Sequence, residues 1–105
     1  MRSKAINVLI EMGVPADIKG FQYIVDAMEL FEDEKIKNGK ITMLYCDIAE
    51  MHGTTASSIE RAIRHAFSVA ITKGKPACVE KYLTMQNTSN GNLLHVLYLR
   101  LTQED

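Results

Sequence analysis

Residues 48–75 read IAEMHGTTASSIERAIRHAFSVAITKGK, and this stretch decides the fold. Ile59, Ala62, Ile63, Ala66, Phe67 and Ala70 recur at three- and four-residue steps, which places them on one side of an α-helix. Thr54, Thr55 and Ser57 offer hydroxyls for its N-cap, and Ser57 with Glu60 fits the S-x-x-E capping box. The helix stops at Gly74, and Pro76 bars continuation. Just upstream, Ala49, Gly53 and Ile59 fall on the spacing A-x-x-x-G-x-x-x-x-x-I. There a small residue lets two helices approach, a glycine makes the turn, and an aliphatic residue plugs the second helix into the first. The pattern predicts a helix-turn-helix over about 45–72, with its second helix over about 55–72.

Working outward, Ile41–Met51 carries Leu44, Ile48, Ala49 and Met51 and predicts a third helix closed by Gly53, its start supported electrostatically by Asp47. Ile6, Leu9 and Ile10 predict a short first helix ending at Gly13, and GVPADIKG is a connector. From Gly20, the positions Phe21, Ile24, Val25, Met28 and Phe31 predict a second helix, running to the charged stretch Glu32–Lys37 and the turn Asn38–Gly39. Asp26, Glu29, Glu32, Asp33 and Glu34 against Lys35 and Lys37 read as a solvated acidic face rather than a metal site. Downstream, a fifth helix over Ala77–Leu83 and a sixth over Leu93–Leu101 flank the polar loop Gln86–Asn92. The expectation is an all-α, six-helix fold in which residues 1–105 form one domain.

Composition agrees. A chain of 105 residues has room for one core, and 47% apolar with 24% charged residues is the balance of a globular protein. With 2 prolines, 6 glycines and no Trp, the frequent turns of a β-sandwich are missing. The net charge of −1 gives no global pull toward nucleic acid or an anionic membrane, so any such attraction must be local. No apolar run approaches the ~20 residues that span a bilayer. Cys46 and Cys78 form no C-x-x-C and no secretory leader is read, which predicts free buried thiols and a cytoplasmic location.

Catalysis and cofactors find no support. His52, His65 and His95 make no H-E-x-x-H, and G-x-G-x-x-G and Walker loops are both lacking. Cys46 and His52 would need further ligands from elsewhere to hold a metal, so they read as a buried thiol and a surface imidazole. The useful constellation lies on the fourth helix. Glu60, Arg61, Arg64, His65 and Ser68 repeat at helical spacing on the face opposite the apolar stripe. Arg61 and Arg64 present forks that can bond a guanine edge bidentately, and Glu60 can accept from a cytosine amino group. His65, Lys73 and Lys75 are candidates for phosphate contacts, together with the hydroxyls of Thr54, Thr55 and Ser57 and the free N–H groups at the helix start. Between Thr54 and Lys75 the basic residues Arg61, Arg64, Lys73 and Lys75 stand against Glu60 alone, a local balance of +3. The competing reading is that Glu60 and Arg64 are an i,i+4 surface pair on an ordinary solvated face.

TTASSIERAIRHAFSVA, with YCDIAEMHG before it and IEMGVPADIKGFQYI near the start, resembles the DNA-binding effector domain family of the master response regulator of endospore formation, stage-zero sporulation protein A. The resemblance is strong over about Ile6 to Lys75 and weak beyond. It implies a six-helix transcription-factor domain acting on double-stranded DNA at a box of the TGTCGAA type, with Glu60, Arg61, Arg64 and His65 at reading positions. It further implies tandem homodimerisation on DNA through the last helix, and contact with an RNA polymerase sigma factor from about Thr72–Tyr82. Ser58 stands where the family usually has Arg in T-T-A-S-R-V-E-R, which removes one DNA contact expected of the family and leaves the Ser58 hydroxyl as a candidate DNA-backbone contact. Cys46 replaces the proline of Y-P-D-I, and TSNGNL stands for T-N-S-E-F at the dimer-forming helix. With no receiver domain read ahead of it, the stretch is either an excised effector or a stand-alone homologue. The alternative reading is a helical protein-interaction module that keeps the fold without competent DNA reading.

Overall fold

The computed structural model describes residues 1–33 and 40–103. Six α-helices follow in order: α1 (Arg2–Glu11), α2 (Lys19–Glu32), α3 (Ile41–His52), α4 (Ala56–Lys73), α5 (Pro76–Tyr82) and α6 (Asn90–Gln103). The described residues contain no strand, so the fold is all-α. Glu34, Lys35, Lys37 and the turn Asn38–Gly39 lie outside the described residues.

The apolar periods dictate the packing. Ile24 and Met28 of α2, Leu44 and Ile48 of α3, Ile63 and Phe67 of α4, and Leu93 and Leu97 of α6 meet in one core and are almost fully buried. Each such side chain contributes about 1.5–3 kcal/mol of transfer free energy. Helix α2 packs against α1, α3, α4 and α6, so it is the scaffold on which α4 rests. The crossing of α2 and α4 depends on Gly20. A Cβ built there would stand 2.2 Å from the carbonyl oxygen of Ala62 and 2.8 Å from the Ala66 methyl. Only a residue without a side chain lets the two backbones come this close.

Several boundaries and environments differ from the sequence reading. Helix α3 begins at Ile41, which leaves Asp47 in mid-helix, half-buried, too far from the first turn to act on its dipole. Pro76 does not merely end α4; it opens α5 at the N-terminal position, where a missing N–H costs nothing. Helix α6 starts at Asn90 rather than Leu93: the Ser89 hydroxyl accepts from the Asn92 N–H at 3.4 Å and the Ser89 carbonyl takes the Leu93 N–H at 2.9 Å, so the turn before Leu93 is already helical. The thiols are not buried together: Cys46 is exposed and Cys78 half-buried beside a Glu11 carboxylate oxygen. Asp26 is not on a solvated face. It is 4% exposed, and its carboxylate accepts from Gln22 at 3.1 Å and from the His52 ring nitrogen at 2.6 Å. His52 is exposed, as a surface imidazole is expected to be, but its ring is engaged with α2.

Candidate nucleic-acid interface

The turn between α3 and α4 is built by Gly53, whose φ of +64° is the left-handed conformation that a Cβ disfavours. The Thr54 N–H bonds the Ala49 carbonyl at 3.0 Å and the Gly53 N–H bonds that of Glu50 at 3.5 Å, closing α3 as a Schellman turn. Ala49 and Ile59 are buried on either side of this turn, as the spacing predicts.

Helix α4 then opens on Thr55, not on Ser57. The Thr55 hydroxyl accepts from the Ser58 N–H at 3.2 Å and donates to the Ser58 hydroxyl at 2.9 Å. The expected Ser57–Glu60 box does not form: Ser57 already lies inside the first turn, and the Glu60 carboxylate is taken by Arg64 in an i,i+4 ion pair. Thr54, Thr55 and Ser57 are exposed and Ser58 half-buried, so the helix start carries a cluster of hydroxyls close to solvent.

Ile59, Ile63, Ala66, Phe67 and Ala70 are buried, while Arg61, Arg64, His65 and Ser68 are exposed. The side chain of Arg64 is 64% exposed and that of Glu60 29%. Arg61 directs its Nε–H to the Ser57 carbonyl at 3.5 Å, a contact long enough to be given up readily. Neither arginine is covered by a neighbouring element. Lys73 and Lys75 are exposed but stand apart: at 1.5 Å per residue Lys73 lies about 18 Å from Arg61 along the axis, and the 100° step carries it off the Glu60–Ser68 stripe. The structure thus gathers the hydroxyls, Glu60, both arginines and His65 at one end of α4 and leaves the two lysines at the other.

Beside this cluster, an open cavity of about 620 Å³ runs between α4 and the start of α6, lined among others by Tyr45, Glu60, Arg64, Phe67 and Asn90. Burial pushes the Tyr45 phenol above its ordinary value of 10.0, against the smaller opposing effects of its hydrogen bond to Asn90 and of the Arg64 charge. The Asn90 side-chain N–H donates to the Glu60 carbonyl at 2.8 Å. Nothing in the sequence singles out Tyr45 or Asn90, since partners 30 residues apart leave no local pattern. His95 faces inward on α6, bonding the Gly91 carbonyl at 2.7 Å.

Among the described residues, no group of three or more His, Cys, Asp and Glu side chains is placed to hold a metal ion, and no helix is long and apolar enough to cross a membrane. The model of one protein family, described as the sporulation initiation factor Spo0A C terminal, matches residues 5–101. The chain belongs to this family of DNA-binding, transcription-regulating effector domains of sporulation response regulators.

Proposed function

We propose that residues 1–105 act as one sequence-specific DNA-binding regulator domain in the cytoplasm. Helix α4, over about 55–72, enters the major groove as the recognition helix of a helix-turn-helix spanning about 45–72. The observation that supports this best is the division of α4, with Ile59, Ile63, Ala66, Phe67 and Ala70 buried, Ala62 half-buried, and two uncovered arginines opposite them. A recognition helix needs both: the buried edge fixes the docking angle and the forks read guanine.

Arg61 and Arg64 read bases, and Glu60 accepts from a cytosine amino group. Thr54, Thr55, Ser57, Ser58 and His65 contact the near phosphates, and Lys73 and Lys75 contact phosphates farther along. The Glu60–Arg64 pair does not obstruct this role. An exposed i,i+4 pair is worth about 0.3–0.5 kcal/mol, whereas a bidentate base contact contributes about 1–3 kcal/mol. Arg64 exchanges one partner for a better one. Two partners follow from the family resemblance: a second copy, in tandem on DNA through α6, and an RNA polymerase sigma factor at about Thr72–Tyr82.

A fluorescence anisotropy titration at fixed moderate salt tests the reading, with a duplex carrying a TGTCGAA box against a random duplex of equal length. Tighter binding to the box is expected. Equal binding to both overturns sequence-specific reading and favours a helical interaction module, a role that Ser58, lacking the guanidinium usual in the family, would suit.

A further inference from the structure

Asp26 and Asn90 are the two buried polar side chains among the described residues, and only Asp26 has a guanidinium, that of Arg2, beside it. Asn90 is 8% exposed at the first position of α6. An amide buried without partners costs about 1–3 kcal/mol, so its bonds must be made with good geometry to be tolerated. One such bond, to another helix, runs from its side-chain N–H to the Glu60 carbonyl on α4 at 2.8 Å, where Asn90 lines the same cavity as Tyr45 of α3.

That carbonyl belongs to the peptide unit between Glu60 and Arg61. In a regular helix its partner is the N–H of Arg64. Asn90 adds a second, lateral bond to the same oxygen, from outside the helix. The peptide so pinned therefore joins two of the three proposed base-reading residues and is hydrogen-bonded to the third.

Asn90 is in turn held from its own side. The Asn92 side chain donates to the Asn87 carbonyl at 2.8 Å, and the Ser89 N–H donates to the Asn87 side chain at 3.2 Å. The Asn92 N–H donates to the Ser89 hydroxyl at 3.4 Å, tying the segment before α6 to its first turn. The start of α6 is thus a self-bonded unit whose single inward amide touches the reading turn of α4.

We infer that Asn90 is a positioning residue for base reading: its bond to the Glu60 carbonyl locks the rotation of α4 about its axis to the first turn of α6, and so sets which bases Arg61 and Arg64 meet. The inference rests on α4 being the recognition helix. Reading groups must be held within about 0.5 Å and 10–20° of their productive geometry, and the Asn90 bond adds a directional constraint to the non-directional burial of the apolar edge. Loss of the bond therefore acts on discrimination, while the phosphate contacts, which carry no sequence information, persist.

The test is the box-against-random titration on the parent, Asn90→Ala, Asn90→Ser and Arg64→Ala, with thermal unfolding alongside. Ser is too short to bridge to Glu60 but suits a helix start, so Asn90→Ser carries the comparison should Asn90→Ala fail to fold. The box-to-random ratio is expected to fall roughly three- to tenfold in both Asn90 variants, with random-duplex affinity and salt slope unchanged. In the Arg64→Ala background, Asn90→Ala should lower the ratio by less than it does in the parent, because both changes act on one contact. A discriminating parent whose ratio survives both Asn90 substitutions overturns the inference and leaves the DNA-reading proposal standing. A parent that binds both duplexes equally overturns the two together.

Discussion

The His52 ring nitrogen donates to the Asp26 carboxylate at 2.6 Å, joining the last residue of α3 to the middle of α2. The Tyr23 ring meets the same imidazole in a T-shaped arrangement, with centroids 4.9 Å apart, and Arg2 lies 3.5 Å from the other carboxylate oxygen. The bond fixes the end of α3 immediately before the Gly53 turn, so it braces the entry to α4.

Replacing His52 with Ala leaves a buried carboxylate short of a donor, which costs about 1–3 kcal/mol. Removing both members is expected to cost less than the sum of the single losses, since the carboxylate left short of a donor disappears with its partner. Urea midpoints of His52→Ala, Asp26→Ala and the double variant measure this. Additive losses would mean that the pair contributes nothing as a pair.

Gly20→Ala tests the α2–α4 crossing. In an ordinary helix the change stabilises by up to about 1 kcal/mol. Here the new methyl meets the Ala62 carbonyl oxygen at 2.2 Å, backbone that cannot yield without moving α4. The expected result is a net loss of about 1–3 kcal/mol, seen as a lower thermal midpoint with helical circular dichroism retained. A variant as stable as the parent would show that the helices separate freely.

Tyr45 gives a pH dependence with a definite sign. Burial raises its phenol above 10.0, so on alkaline titration the unfolded chain releases this proton before the native one does. The native state then binds more protons, and stability falls as pH rises. The contribution is complete below 10.0 and lost through the raised native value. Urea midpoints should therefore decline on the alkaline side more steeply in the parent than in Tyr45→Phe. Identical slopes would remove Tyr45 as the cause.

The sequence made legible whatever is local. The 3–4 spacing from Ile59 to Ala70 marks α4 because one helix face alone decides its burial, and Gly13 and Gly53 mark helix ends because positive φ is a property of single residues. The exposed arginines follow from the same period. Long-range polar partners were not legible. Asp26 has the same acidic neighbours in sequence as Glu29 and Glu32, yet it is buried and bonded to His52, 26 positions away. Asn90 sits in a polar run that favours turns; the Ser89 hydroxyl, accepting from the Asn92 N–H, caps the helix locally, while the Asn90 bond to the Glu60 carbonyl, 30 positions away, leaves no pattern in the sequence. Of the candidate N-cap hydroxyls Thr54, Thr55 and Ser57, Thr55 takes the role: each serves locally, and the Schellman closure at Gly53 sets where the chain re-enters a helix.

The separation of the two ends of α4 makes the DNA proposal testable residue by residue. Arg61→Ala or Arg64→Ala should cost about 1–3 kcal/mol in binding the box and blur preference at one base pair. Lys73→Ala should weaken box and random duplex alike and flatten the salt slope by about one unit of log K against log salt, because only a phosphate contact is lost. The lysine lies about 18 Å from Arg61 along the helix, so its effect should add to that of Arg61→Ala. Titrations over a salt series with the single and paired variants separate these terms. If Arg61→Ala and Arg64→Ala both bind the box as tightly as the parent, α4 is not the reading helix; if Lys73→Ala alters base preference, the lysine does more than hold a phosphate.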